Sequence, residues 1–413
     1  MKIIHWIFLS FLLLAGLPSR ARADRFRTDI NPALIYYQAF LLEPHVTDTD
    51  HDYLLTNDWR GQPLVGKFAT LITNYDTEMN YLRRAAAQTP PCDWGIDLSP
   101  GPETLLPQLA HCKQAVLAAR LHAMWNLKNG DEAAARDDLL GALALGRNSA
   151  RDGSLIAVLV QIATEGIVLA TVAENFQHFS PATLQQFAHA LDGPPARRTL
   201  ASCLQAGRLI DGNWLIAQLQ DLQKMHPGDD AAVIAGLHQK YESIPFGSEG
   251  TYWQQLTNDG GGTVAGLIHL AHETESWYQQ LSEIMTLPHG PFEEQLKQFL
   301  DAAKKSGQFM FFDSPPPWPS VRRKEFAIET ALAMTRAAIA YKLHGEEGLN
   351  NVTDPCGNGP FKFERFIFQG EDRGFQLKST YVPGHKPLRM IFVEKDGPPF
   401  HVIGDLAGEP ITP

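Results

Sequence analysis

Apolar positions recur at helical spacing along most of this chain, broken by short Gly/Pro punctuation. Asn31-Pro32 is a helix start: Asn caps, and Pro at the first helical position gives up an N–H that would be unpaired anyway. It opens ALIYYQAFLL. The same spacing predicts helices over 64–87, 104–127, 132–146, 154–176, 182–191, 197–223, 263–285, 292–305 and 321–343. FFDSPPPWPS interrupts the last two and cannot be helical at its prolines, so 313–320 is expected to be a stiff connector.

Beyond residue 345 the period changes. FKFERFIFQ, GFQLKSTYV and PLRMIFVEK are short, aromatic and β-branched, and are separated by GEDRG and PGHK. They predict an antiparallel meander of about three strands, which is marginally stable alone and so should pack on the helices. The fold class expected is mostly α: a multi-helix bundle or irregular helical array with a small C-terminal antiparallel β-meander. Residues 24–345 form the helical domain, with a possible subdivision near 192–196, and 346–413 the β-rich segment.

The first residues bear on compartment. Lys2 precedes the apolar run IIHWIFLSFLLLAGL, too short for the ~20 residues that span a bilayer. Ala21-Arg22-Ala23 follows as an A-x-A cleavage pattern, so 1–23 reads as a signal peptide cut before Asp24. The protein is therefore expected to be secreted or periplasmic. No later apolar stretch is both long and charge-free enough to suggest a transmembrane span after signal removal. Cleavage takes three cations and moves the net charge from −11 to −14. A body this acidic repels phosphate backbones, which argues against nucleic acid as a partner.

Cys92, Cys112, Cys203 and Cys356 form no C-x-x-C pair, so zinc or thioredoxin-like chemistry has no support. In an exported chain they are expected as disulfides. Three pairings are possible. Cys92–Cys112 would close a short loop and Cys203–Cys356 would tie the tail to the helices, each contributing about 3 kcal/mol in the chain-entropy model.

LHAMWNLKNGDEAAARDDLLGALAL (121–145) resembles one tetratricopeptide repeat unit. The likeness rests on the Gly130-Asp131 turn, on Ala135, Leu139 and Ala142 in the second helix, and on Ala119 and Ala123 facing them. Asn126 stands where an aromatic is usual, and no second copy follows at a period near ~34 residues. The resemblance implies a packed helical hairpin and, faintly, protein binding. In the tail, Asp354-Pro355-x-Gly357, Pro360-Phe361-x-Phe363 and Gly374-Phe375-x-Leu377-x-Ser379 resemble the C-terminal region of type II secretion pseudopilins. The acidic calcium-binding end of that family is replaced by Asp396-Gly397-Pro398-Pro399, so calcium is not carried over. As a whole the chain resembles uncharacterised secreted bacterial helical proteins.

Several stretches invite a chemical reading and fail it. GLIHLAHETE orders its donors H-x-x-H-E, with the glutamate outside the pair. Val264, Leu267, Ile268, Ala271, Tyr278, Leu281 and Met285 form that helix's apolar stripe, and His269 and Glu273 fall opposite it as a surface pair. Glu275 lies toward the apolar side, near His272. In DTDHD, Asp48, Asp50 and Asp52 match the opening spacings of an EF-hand, but Tyr53 replaces its glycine and Trp59 its bidentate glutamate. Helix capping is the better reading. NDGGGT has no lysine behind it and reads as a loop. In PCDWGIDLSPG, Trp94 with Asp93 and Asp97 offers a sugar-binding pattern, against the blander account that Trp94 shields a disulfide. No cofactor or metal is expected.

The informative residues are charges in apolar surroundings. The 154–176 helix is apolar on nearly every face, and Glu165 sits in its middle among Gln161, Ile162, Val168 and Leu169. Arg120 lies among Val116, Leu117, Ala123 and Met124, and Arg336 among Leu332, Ala333, Ile339 and Ala340. Unpaired buried ions cost several kcal/mol, so such groups find partners or shift their pKa. The frugal inference is that Glu165 meets Arg120 or Arg336 between helices. The sharper one makes Glu165 a general acid or base, with both arginines orienting an anionic substrate. The expected function is an exported, non-catalytic binding or scaffold protein acting on an unidentified protein or envelope component. The alternative is an envelope-directed hydrolase or lyase.

Overall fold

The computed structural model describes residues 27–51, 54, 66–242, 250–306 and 318–411. The signal segment, Asp52, Tyr53, Trp59 and most of the Pro-rich connector lie outside the described residues. Fourteen α-helices and one three-stranded antiparallel sheet are described, and 64% of the described residues are helical.

The helices are α1 (Pro32–Leu41), α2 (Asp48–His51), α3 (Lys67–Thr73), α4 (Asp76–Ala86), α5 (Gln108–Lys128), α6 (Glu132–Ser149) and α7 (Leu155–Glu174). Then come α8 (Pro181–Asp192), α9 (Leu200–Met225), α10 (Asp230–Glu242), α11 (Gly250–Asp259), α12 (Val264–Ile284), α13 (His289–Lys305) and α14 (Trp318–Asn350). Side-chain caps begin many of them. Asn31 accepts from the Ala33 amide, Asp131 from Ala134, Ser154 from Ala157, Ser180 from Thr183 and Thr263 from Gly266.

The α5–α6 hairpin is the centre of the helical body. Gly130 (φ 79°) makes the left-handed turn that a side chain would strain, and Ala119, Ala123, Ala135 and Ala142 are fully buried between the two helices. α7 packs against α5, α6, α9, α14 and the sheet. Gly146 lets α6 and α7 approach closely, because a Cβ there would overlap the Thr164 hydroxyl. By length and composition, α7 is apolar enough to cross a membrane, which corrects the expectation that no such stretch follows the leader. Half of it is buried inside the fold.

The segment expected as one helix over 64–87 is two, broken at Asn74-Tyr75. Between 224 and 262, where no helix was assigned from the spacing, the chain holds α10 and α11. They close a separate small core of Leu219, Leu222, Val233, Leu237, Leu256 and Leu267 with the ends of α9 and α12. α14 runs past the expected 321–343 and kinks at Gly345 (φ 67°).

The meander is as expected: β1 (Lys362–Phe368), β2 (Glu371–Lys378) and β3 (Arg389–Val393) in that spatial order. Gln369 (φ 51°) and Gly370 (φ 83°) form the two-residue turn between β1 and β2, the left-handed pair that matches strand twist. The sheet packs on the helices through Phe375 and Phe392, both against Phe176. Asp354 joins the Asp354-Pro355-x-Gly357 and Leu377-x-Ser379 stretches. Its buried carboxylate accepts from the Cys356 amide (3.0 Å), the Ser379 hydroxyl (2.7 Å) and the Thr380 amide (3.0 Å), tying the turn to the end of β2.

Candidate functional site

Glu165 is fully buried at mid-α7, and it is not alone. Its Oε1 accepts from Arg147 Nε at 3.1 Å and from Arg197 Nε at 3.0 Å, while Oε2 accepts from Arg197 Nε at 2.8 Å. Arg147, 1% exposed, reaches in from the last turn of α6. Its other N–H groups donate to the carbonyls of Ala190, Leu191, Gly193 and Pro195. A planar guanidinium with five donors can satisfy a carboxylate and a loop at once. Here it fastens the 190–195 segment to the core.

The charges continue outward. Arg197 lies 3.8 Å from Glu329, which lies 3.3 Å from Arg322. Arg322 holds Glu325 at 2.6 Å, and Glu325 accepts the Leu200 amide that opens α9. Burial pulls both Glu165 partners down. For Arg147, the like charges of Arg197 and Arg336 leave the net shift downward despite Glu165. For Arg197, the carboxylates of Glu165, Glu329 and Glu325 reverse it. Both remain cations at any physiological pH.

The expected trio does not meet. Arg120 pairs with Glu174 at 3.2 Å, at the C-terminal end of α7. Arg336 pairs with Asp192 at 2.6 Å and donates to the Leu191 carbonyl at 3.3 Å. Arg336 thus reaches the loop that Arg147 holds, but not Glu165. Arg147 and Arg197 are the partners that the sequence reading missed. Glu165 has both oxygens engaged and no exposed surface, so no proton transfer to a bound molecule passes through it in this conformation.

The sugar-binding pattern also resolves into structure. Trp94 is 5% exposed, stacks with Tyr36 and with Phe40, and donates its Nε1–H to the Asn148 carbonyl at 2.7 Å. Asp93 and Asp97 cap the Gly95 and Ser99 amides, each at 2.9 Å. The ring is buried in the core, and there is no disulfide for it to shield.

All four cysteines are free, which overturns both expected pairings. Cys203 sits in an apolar cluster with Leu109, Ala150, Ala157 and Val158, whereas Cys356 contacts Thr330 at 3.5 Å beside the sheet. Burial pushes the Cys92 thiol up to about 12 and the Cys356 thiol to about 11. Such thiols stay protonated and are weak nucleophiles. Alkylation in denaturant without reductant should therefore modify all four, and in the native state Cys356, the one not fully buried, should react first. A mass that changes on reduction would contradict this.

His269 and Glu273 form the expected exposed pair at 3.2 Å. Glu275, expected on the apolar side, is exposed. Asp50 accepts a salt bridge from Lys67 at 2.7 Å and belongs to the short α2. At NDGGGT, the Asp230 carboxylate accepts the Val264 amide at 3.2 Å, so a side chain already holds the start of α12. Among the described residues no three His, Cys, Asp or Glu side chains converge to hold a metal.

A second buried network was invisible to periodicity. His122, on α5, hydrogen-bonds Asp138 through Nδ1 and Asp76 through Nε2, each at 2.7 Å. Arg83 and Asn126 also donate to Asp138. Asn126 completes a polar cluster between α4, α5 and α6. Burial disfavours the imidazolium most strongly as a single influence. The hydrogen bonds and charges of Asp138 and Asp76 together outweigh it and hold the His122 pKa above its ordinary value.

A raised folded pKa means the bridge contributes fully below the unfolded value of about 6.5 and is lost as pH rises through the folded value. In urea titrations, the stability advantage of wild type over His122→Gln should be largest below about pH 6.5 and shrink as pH rises through the raised folded value. A constant difference would show that the fold does not raise the pKa of this ring.

Compared with protein-family models, with curated proteins and with solved structures, the chain matches none of them. Function is therefore argued from these residues.

Proposed function

We propose that this chain is an exported, non-catalytic helical protein that binds or braces a partner protein or envelope component, in the periplasm or outside the cell. The observation that carries this reading is the state of Glu165: fully buried, with both oxygens on arginines that are themselves committed to the fold. The hydrolase alternative requires a solvent route to that carboxyl. The tetratricopeptide-like hairpin supports a binding role through its close-packed small residues, and the pseudopilin-like tail supports an envelope setting. The leader pattern at Ala21-Arg22-Ala23 supports export.

The test is fractionation of native cells followed by chemical cross-linking. A mature chain beginning at Asp24, found outside the cytoplasm and cross-linked to a reproducible partner, is the expected outcome. An uncleaved cytoplasmic monomer would overturn the proposal.

A further inference from the structure

Between α7, α14 and two loops of the tail runs a groove of about 360 Å³. Ile162 of α7 lines its helical side with Ala327, Ile328 and Ala331 of α14, and Leu388 and Ile403 line the tail side. Hydrogen bonds hold the tail side in place. The Leu388 amide donates to the Tyr381 carbonyl at 2.7 Å, and the Ile391 amide of β3 donates to the Val402 carbonyl at 2.8 Å. Lys386 Nζ joins the two loops by donating to the Asp405 carbonyl at 3.3 Å. The groove is therefore preformed, and its volume is at the small end of sites for small molecules, about 300–1,000 Å³.

Two charged side chains line it, Lys324 from α14 and Asp405 from the tail, and both are exposed. Among the described residues neither makes an ion pair, with the other or with a third group, so they stand more than 4.0 Å apart. The charges beside them in sequence are already taken: Arg323 holds Glu293 at 2.8 Å and Lys386 holds Glu409 at 3.6 Å. Gly384 leaves the Asp405 carboxylate its place at the rim, because a Cβ there would lie 2.9 Å from Oδ2.

An apolar floor with an open cation on one wall and an open anion on the other matches a molecule of the same three parts. A fatty acid would answer Lys324 and leave Asp405 facing an alkyl chain. In a free amino acid, ammonium and carboxylate sit on one carbon. In a dipeptide they sit on neighbouring residues about 3.8 Å apart at Cα, which suits two charges on opposite walls. Its two side chains then cover the apolar floor.

We propose that this groove binds short apolar peptides with free ends, the carboxylate on Lys324 and the ammonium on Asp405. The site does not depend on the binding or scaffold role above, which concerns a larger partner.

The test is calorimetric titration of the purified full-length chain at neutral pH with leucyl-leucine. Saturable binding of one peptide per chain is the expected result, and glycyl-glycine should not bind. N-acetylation and C-terminal amidation should each weaken binding about fivefold, the upper end for an exposed ion pair. The variants assign each end to its wall. Lys324→Met should weaken leucyl-leucine likewise and make it indifferent to amidation while acetylation still costs. Asp405→Asn should do the reverse. Both positions are exposed and unpaired, so both variants should melt like wild type.

No saturable binding of leucyl-leucine would overturn the proposal. So would blocked peptides that bind as well as free ones, or blocking penalties that persist unchanged in both variants. Decanoate binding more tightly than leucyl-leucine would overturn it too, by showing the groove to be an acyl-chain site.

Discussion

Glu165→Ala is expected to lower the free energy of unfolding by about 3–5 kcal/mol, the range for removing one side of a buried ion pair. The loss comes less from the missing attraction than from what remains. Arg147 is 1% exposed and its other donors are held by the 190–195 carbonyls, so it cannot swing out to water. Arg197 keeps a partial partner in Glu329 at 3.8 Å. Glu165→Gln, which keeps the shape and one acceptor oxygen, should cost less than Glu165→Ala.

The exposed pairs set the comparison. Arg336→Ala removes a bridge to an Asp192 side chain that is 67% exposed, where pairs contribute about 0–1 kcal/mol. Urea titration of the three variants at neutral pH checks the order, provided the slope is unchanged. If Glu165→Ala costs no more than Arg336→Ala, water already reaches Glu165. A solvent-reached Glu165 could then act on a bound molecule.

The sequence carried the helices because their apolar positions recur at a regular spacing, and it carried the meander because the spacing changes at 345. α10 was missed: its Asp229 cap lies in the Pro-Gly-Asp-Asp run before AAVIAGLHQKY, and it buries few apolar residues. The burial of Glu165 was legible from its neighbours on the helix. Its partners were not, because a carboxylate on one helix selects cations by tertiary geometry that local spacing does not encode. Arg147 ends an apolar run, GALALG, whose final glycine admits α7, and that was the one local signal. Arg197 was expected as the first residue of the 197–223 helix, but that helix opens at Leu200 and Arg197 lies in the loop before it. The cysteines misled for a different reason. Compartment and count suggested pairing, but the thiols are packed without disulfide bonds: Cys92 and Cys112 in the main core, Cys203 in a smaller apolar cluster and Cys356 against Thr330.

Phe375→Ala is the second large effect expected, about 3–5 kcal/mol for a fully buried phenylalanine truncated in a rigid core. Phe375 is 0% exposed on the central strand. Its ring lies 5.2 Å from Phe363, 5.3 Å from Phe392, 5.0 Å from Tyr341 on α14 and 5.9 Å from Phe176 just past α7. One side chain therefore joins all three strands to two helices. A three-stranded sheet of this size has little stability of its own, so the helices and the tail should unfold together rather than in turn. Hydrogen exchange distinguishes the two cases. In Phe375→Ala, amides of 362–393 and of the α5–α6 hairpin should lose protection by the same free energy. Loss confined to 362–393, with the hairpin unchanged, would show that the sheet is a separable unit resting on the helices rather than part of their core.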